Sequence, residues 1–142
     1  MIAVVTNVLV YAHRSESPYH ERALTELASL QQTPTSWGLP WPCVHEFLAT
    51  VTNSRTFRSP TPMPVALDAI AAVARGAAML GEAVDHLARL ERLLDSSGVT
   101  GAKVHDARIA AICLSHGVTE LWTADRDFSY FPELRTRNPL VG

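Results

Sequence analysis

The chain lacks the features that mark secreted, zinc-stabilised or membrane-spanning proteins. It has only two cysteines in 142 residues, Cys43 and Cys113, without the spacing of a zinc finger. No run of 18 apolar residues occurs, since Arg75 interrupts the best candidate, and the apolar start has no cationic leader. We therefore expect a cytoplasmic protein with no membrane partner.

The chain also lacks a strong excess of either charge. Twelve Lys and Arg residues face 14 Asp and Glu residues, which gives a formal net charge of −2. This balance excludes a generally basic coat for nucleic acid but allows a local basic rim around a groove. The apolar fraction of 47% is that of an ordinary globular protein. The length predicts a single domain over residues 1–142.

Short apolar runs and longer amphipathic segments alternate along the sequence. The runs that predict strands are 1–5, the weaker 35–39, 77–80 and 120–123, with a further edge strand within 135–142. The segments that predict helices are 8–13, one starting at 17–18, 42–53, 65–75, 83–97 and 103–116. Thr6 or Asn7 is expected to cap the first helix. The alternation predicts an α/β fold whose parallel sheet is covered on both faces.

Acidic residues stand at predicted strand ends or at adjoining helix starts. These acids are Glu46, Asp106, Asp125 and, close behind, Asp127. In an open α/β sheet the ligand site lies beyond the carboxyl ends of the strands. Each acid alone also has an ordinary explanation, as a solvated helical side chain, a first-turn acid or a turn residue. Asp127 is interpreted chiefly as the cap of the segment that follows it.

As a group, these acids favour a metal-binding role. Several carboxylates at one sheet edge repel one another unless a cation lies between them. Oxygen ligands without Cys or His partners select Mg²⁺ or Mn²⁺. Such an ion activates water and neutralises charge on a phosphate, so phosphodiester hydrolysis is the expected chemistry.

Four segments carry a resemblance to a known family. They are VTNVLVYAHR at 5–14, PCVHEFLATVTN at 42–53, KVHDARIAA at 103–111 and LWTADRDFSYF at 121–131. With these four segments in this order, the chain resembles the PIN-domain ribonucleases and, more narrowly, the VapC toxins of type II toxin–antitoxin systems. The resemblance implies a three-layer α/β/α sandwich and a metal-dependent endoribonuclease that cuts structured RNA such as tRNA or rRNA. It also implies a VapB-like antitoxin partner and a homodimer.

The resemblance assigns roles to individual residues. Members of the family hold Mg²⁺ or Mn²⁺ with four acids, and three of these carry over as catalytic and metal-binding residues: Glu46, Asp106 and Asp125. Supporting positions of the family motifs are matched by Thr6, Asn7, Thr123 and Asp127. The fourth acid precedes Thr-Asn in the family, and here that position is Val5. A lost ligand implies activity reduced by about three orders of magnitude or more.

Alternatives to an active nuclease follow from Val5. One is a catalytically dead module that binds antitoxin or RNA without cutting it. A receiver-like signalling domain would need an acid pair near the first strand, and MIAVVTN contains none. An engineered substitution and a naturally degenerate copy both account for the valine, and the genomic sequence of codon 5 separates these origins.

Overall fold

The fold centres on a parallel sheet. A computed structural model describes residues 1–33 and 36–142. The strands are β1 (Ile2–Val4), β2 (Trp37–Pro40), β3 (Ala78–Leu80), β4 (Glu120–Trp122) and β5 (Thr136–Arg137). All four pairings are parallel, in the order β3-β2-β1-β4-β5. The predicted parallel sheet is confirmed, including its edge strand at the end of the chain.

Helices connect the strands, as the hydrophobic periodicity predicts. They are α1 (Thr6–His13), α2 (His20–Gln31), α3 (Trp41–Val51), α4 (Met63–Ala74), α5 (His86–Ser97) and α6 (Val104–Ser115). Short 3₁₀ turns occupy Gly101–Lys103 and Arg126–Tyr130. Gly98 and Gly117 follow α5 and α6 with a φ of 72°, a left-handed conformation that favours glycine after a helix. Over the described ranges, no helix is both long and apolar enough to cross a membrane.

The second strand differs from its prediction. It was expected at 35–39, but β2 covers Trp37–Pro40, and Thr35 lies outside the described residues. Pro40 lacks an amide hydrogen and is the last residue of the strand, immediately before α3. A proline is tolerated at such a boundary better than inside a central strand.

Successive side chains of the sheet pack into separate cores on its two faces. Ala3 and Leu121 belong to a buried cluster with α5 and α6, whereas Val4 and Trp122 belong to a cluster with helices α1 to α4. This alternation is the period of two that a strand buried on both faces requires. The three-layer α/β/α architecture is therefore confirmed.

Candidate active site

The site is built where neighbouring strands end at the same edge of the sheet. The amide of Val5, just beyond β1, donates to the carbonyl oxygen of Trp122 at 3.1 Å, which aligns the ends of β1 and β4. Helix α3 follows β2 at this edge without an intervening residue. Residues after β1 and β4 and near the start of α3 are thereby brought together although they are distant in sequence.

One cavity of about 330 Å³ opens at this edge and gathers the predicted residues. Val5 and the three predicted catalytic acids all line it: Glu46, Asp106 and Asp125. Thr6 and Asn7 line it as well. Thr123 and Asp127 do not line it and are linked to it through hydrogen bonds with Asp125. The Val5 side chain is only 3% exposed and continues the buried cluster under α6. An apolar group therefore stands among the carboxylates.

Thr6 and Asn7 tie α1 to the rest of the site. The Thr6 hydroxyl donates to Oε2 of Glu46 at 2.9 Å. The Asn7 side chain accepts from the amide of Ala124 at 3.1 Å and contacts the Thr123 hydroxyl at 3.4 Å. The expectation that either residue caps α1 is wrong, because the helix begins at Thr6 and the cap position falls on Val5, which has no side-chain hydrogen bond.

The segment after β4 is ordered by the buried Thr123. Its hydroxyl accepts from the amide of Asp125 at 3.0 Å, and Oδ1 of Asp125 accepts from the amide of Asp127 at 3.0 Å. The interpretation of Asp127 as a cap is wrong, because the 3₁₀ turn begins at Arg126 and its cap is Asp125. Asp127 instead accepts from Nζ of Lys103 at 3.2 Å, an ion pair that the sequence pattern does not reveal.

The carboxylates influence one another electrostatically. Burial, and then the negative charges of Asp127, Asp125 and Glu46, raise the pKa of Asp106 to about 6. The hydrogen bond to Asp127 raises the pKa of Lys103, which keeps this amine cationic. The site thus has an excess of negative charge, which Lys103 offsets in part through its ion pair with Asp127 and its attraction to Asp106.

The donor atoms present suit a hard cation. The cavity offers carboxylate oxygens, while burial raises the pKa of the Cys43 thiol to about 12 and keeps it from serving as a thiolate. Mg²⁺ and Mn²⁺ prefer such oxygen ligands. Within residues 1–33 and 36–142, however, no three His, Cys, Asp or Glu side chains form a ready metal-binding group. The set of acids fits a cation chemically and is incomplete geometrically.

Comparison with known proteins identifies the family. The PIN domain model matches residues 2–134. The chain belongs to the PIN-domain family. Ribonuclease VapC43 of Mycobacterium tuberculosis is 37% identical over 144 aligned residues, covering all of this chain and 97% of the relative. This full-length similarity places the PIN domain among the VapC ribonucleases and confirms the resemblance.

Solved structures show the same fold. VapBC2 of Rickettsia felis, bound to a DNA fragment from its promoter, has a TM-score of 0.70 at 18% identity and covers 97% of this PIN domain and 98% of that chain. M. tuberculosis VapC20, described as a sarcin-ricin loop cleaving toxin, has a TM-score of 0.67 at 18% identity, with 91% and 93% covered. At these identities the similarity concerns the architecture alone.

Three aromatic residues of the cavity were missed by sequence reasoning. Tyr11, Phe57 and the buried Phe128 line it beside the acids. Tyr11 lies four residues after Asn7 in α1, so helical spacing contained the signal that both side chains share a face. Phe57 lies in the irregular segment between α3 and α4, where no periodicity indicates which way a side chain points.

Proposed function

We propose that this PIN domain is the toxin of a type II toxin–antitoxin pair, built as a Mg²⁺- or Mn²⁺-dependent endoribonuclease and impaired in this chain by Val5. One observation carries the proposal: Val5 lines the same cavity as Glu46, Asp106 and Asp125. Structured RNA, such as tRNA or rRNA, is the proposed substrate. The names of its relatives support this, since VapC43 is called a ribonuclease and VapC20 a sarcin-ricin loop cleaving toxin.

In this proposal the three acids hold the cation. The bound ion would supply charge neutralisation at the phosphodiester and acidify a water molecule. The protein's own groups orient the acids: Thr6 holds Glu46, and the Thr123 hydroxyl fixes the backbone of Asp125. Lys103 pairs with Asp127 and reduces its share of the repulsion. Val5 provides no oxygen, so both cation binding and cleavage are expected to be weakened.

Metal affinity tests the role of position 5. We expect the chain to bind Mn²⁺ at least about tenfold more weakly than its Val5→Asp variant, because the aspartate adds an oxygen ligand. Isothermal titration calorimetry on both proteins measures the difference, and Val5→Leu serves as an apolar control that should match the parent. Equal affinities for the parent and Val5→Asp would show that position 5 is not a ligand.

A VapB-like antitoxin is the proposed protein partner, and a homodimer is the proposed assembly. A solved structure from Klebsiella pneumoniae with the same fold, at a TM-score of 0.66, is described as a toxin–antitoxin complex. The cavity also has the charge that attracts a basic side chain, since the carboxylates of Glu46, Asp106 and Asp125 all line it. We infer that an Arg or Lys of the antitoxin tail enters this cavity.

Neutralising the partner's tail tests this inference. Replacing the basic residues in the C-terminal tail of the antitoxin encoded beside this chain should weaken the complex, because the acids lose their counter-charge. Binding assays at two salt concentrations measure the loss, and the same number of neutralisations outside the tail is the control. An unchanged complex and unchanged inhibition would exclude this mode of binding.

A second candidate function rests on the same valine. With an apolar side chain in place of a ligand, the chain would bind antitoxin or RNA without cutting RNA. Cleavage assays on the chain as it stands distinguish the two functions: weak Mn²⁺-dependent cutting supports an impaired enzyme, and its complete absence supports a binding module.

A further inference from the structure

Part of the cavity lining is aromatic, which binding of a phosphate does not require. Tyr11 and Phe57 are called the aromatic wall below. Tyr11 of α1 and Phe57, from the segment between α3 and α4, line the cavity together with the acids. Carboxylates with a cation are sufficient to bind a phosphodiester, whereas aromatic rings bind the faces of nucleobases. The volume of about 330 Å³ is in the range of pockets that accept small molecules. The aromatic wall therefore points to recognition of a base.

Arg14 holds Phe57 in place. The guanidinium carbon of Arg14 lies 4.1 Å from the centroid of the Phe57 ring. Arg14 also donates to the carbonyl oxygen of Ser59 at 2.9 Å and contacts the Thr61 hydroxyl at 3.2 Å, and its side chain is only 13% exposed. Since the cation covers one face of the ring, Phe57 offers the cavity its other face or its edge.

Tyr11 is ordered in a similar way. Its ring makes an edge contact with the ring of Tyr19 at a centroid distance of 5.2 Å. Its carbonyl oxygen lies 3.0 Å from Nδ1 of His20. Both aromatic side chains of the wall are thus positioned by neighbours, and prior ordering of this kind lowers the entropy cost of binding.

The segment that carries Phe57 also carries positive charge. Arg55 and Arg58 flank the aromatic residue and are exposed. In the part of the chain that the structure describes, neither takes part in a salt bridge. An aromatic residue between accessible cations is a combination that suits single-stranded nucleic acid, whose bases stack and whose phosphates pair with arginine.

We propose that Phe57 and Tyr11 form a stacking site for one unpaired RNA base beside the phosphate to be cleaved, and that Arg14 is the positioning residue for Phe57. This inference rests on the proposed RNA substrate and adds to it a requirement for an unpaired base at the cleavage point. Arg55 and Arg58 contact the neighbouring phosphates.

Fluorescence of a base analogue tests the stacking directly. The full chain, which carries Val5, is titrated into hairpin RNAs that bear 2-aminopurine at successive positions of the unpaired loop. Binding should quench the fluorescence at a defined loop position. Phe57→Leu should remove the quenching and weaken binding about fivefold to tenfold, because leucine keeps part of the apolar contact but cannot stack. Phe57→Trp should retain both signals.

One further variant serves as a control, and another tests the positioning role of Arg14. Leu67→Ala truncates an apolar side chain of α4 that is 48% exposed and lies outside the cavity, so it should change neither signal. Arg14→Ala should weaken RNA binding in the parent but have little further effect in the Phe57→Leu background, since Arg14 is proposed to affect RNA only by positioning Phe57. Additive effects would contradict a positioning role for Arg14.

The outcomes separate this inference from the proposed function. If the parent binds the hairpins and Phe57→Leu binds them with the same affinity and quenching, the stacking site is wrong while the RNA substrate stands. If neither the parent nor the Val5→Asp protein binds or cuts any RNA, the proposed function fails and the stacking site fails with it.

Discussion

Replacing Val5 by aspartate is expected to raise Mn²⁺-dependent RNA cleavage by about a thousandfold or more. The new carboxylate would enter the cavity already lined by Glu46, Asp106 and Asp125 and complete the ligand set. A ligand contributes several kcal/mol of transition-state stabilisation, and each 1.36 kcal/mol is about tenfold in rate. End mapping of cellular RNA, after incubation with the purified variant in the absence of antitoxin, measures the cleavage and locates its site. Growth inhibition on expression should return with it.

The same variant should remain folded but depend on the ion for stability. Valine and aspartate have similar volumes, so little strain is expected at a position that is 3% exposed. A fourth carboxylate increases the repulsion, and we expect a lower melting temperature than the parent in EDTA and a recovery when Mn²⁺ is added. Burial removes much of the hydration of this carboxylate, which adds to the cost without the ion.

Two control variants test whether the restored cleavage depends on a carboxylate at position 5 and on the other acids. Val5→Asn introduces a side chain of the size of aspartate without its charge, and its cleavage activity should stay near that of the parent. Asp106→Asn in the Val5→Asp protein should abolish the restored cleavage. If Val5→Asp folds, binds Mn²⁺ and still cuts no cellular RNA, the nuclease proposal for this chain is wrong.

Thr123→Val is expected to cause a large loss of cleavage. This substitution keeps the shape of the side chain but removes the hydroxyl that accepts from the Asp125 amide and contacts Asn7. This hydrogen bond is only partly buried, so its loss is expected to cost about 1 kcal/mol of folding stability. In the Val5→Asp background we expect cleavage to fall about a hundredfold, because Asp125 moves from its position. Thermal unfolding and single-turnover cleavage measure the two effects.

Thr119→Val provides the matched control. Its hydroxyl contacts the carbonyl oxygen of Met1 at 3.2 Å, at the opposite end of β4, and the residue is exposed. This variant should lose well under 1 kcal/mol, as is usual for surface substitutions, and should cleave normally. Equal losses for both variants would mean that Thr123 has no specific role in holding Asp125.

The sequence was sufficient to predict the fold and the gathering of the candidate residues at one edge of the sheet, but not the contacts among them. Hydrophobic periodicity and the glycines that follow helix ends predict the helices. The rule that parallel strands end at a common edge of the sheet brings Glu46 and Asp125 together. The family motif was needed to propose that Val5 stands in place of an acid, since valine is ordinary in a buried strand.

Contacts across long separations have no local signal in the sequence. The Thr6–Glu46 hydrogen bond spans 40 positions, and the cation–π contact of Arg14 involves Phe57 in an irregular loop. The cap of the turn after β4 was placed two residues too late, because both Asp125 and Asp127 have capping side chains and only the start of the turn decides between them.

Because β1 pairs with β4, the cavity can form only after both strands have been synthesised. Ile2 of β1 is in register with Glu120, so β1 is synthesised more than 100 residues before β4, its partner on that side. At about 5–20 residues per second, the 118 positions from Ile2 to Glu120 take roughly 6–24 s to synthesise. The segment with Asp125 emerges after that delay, and the cavity does not exist before it. The proposed cleavage, and the proposed binding of an antitoxin tail in this cavity, therefore cannot begin before Asp125 has been synthesised.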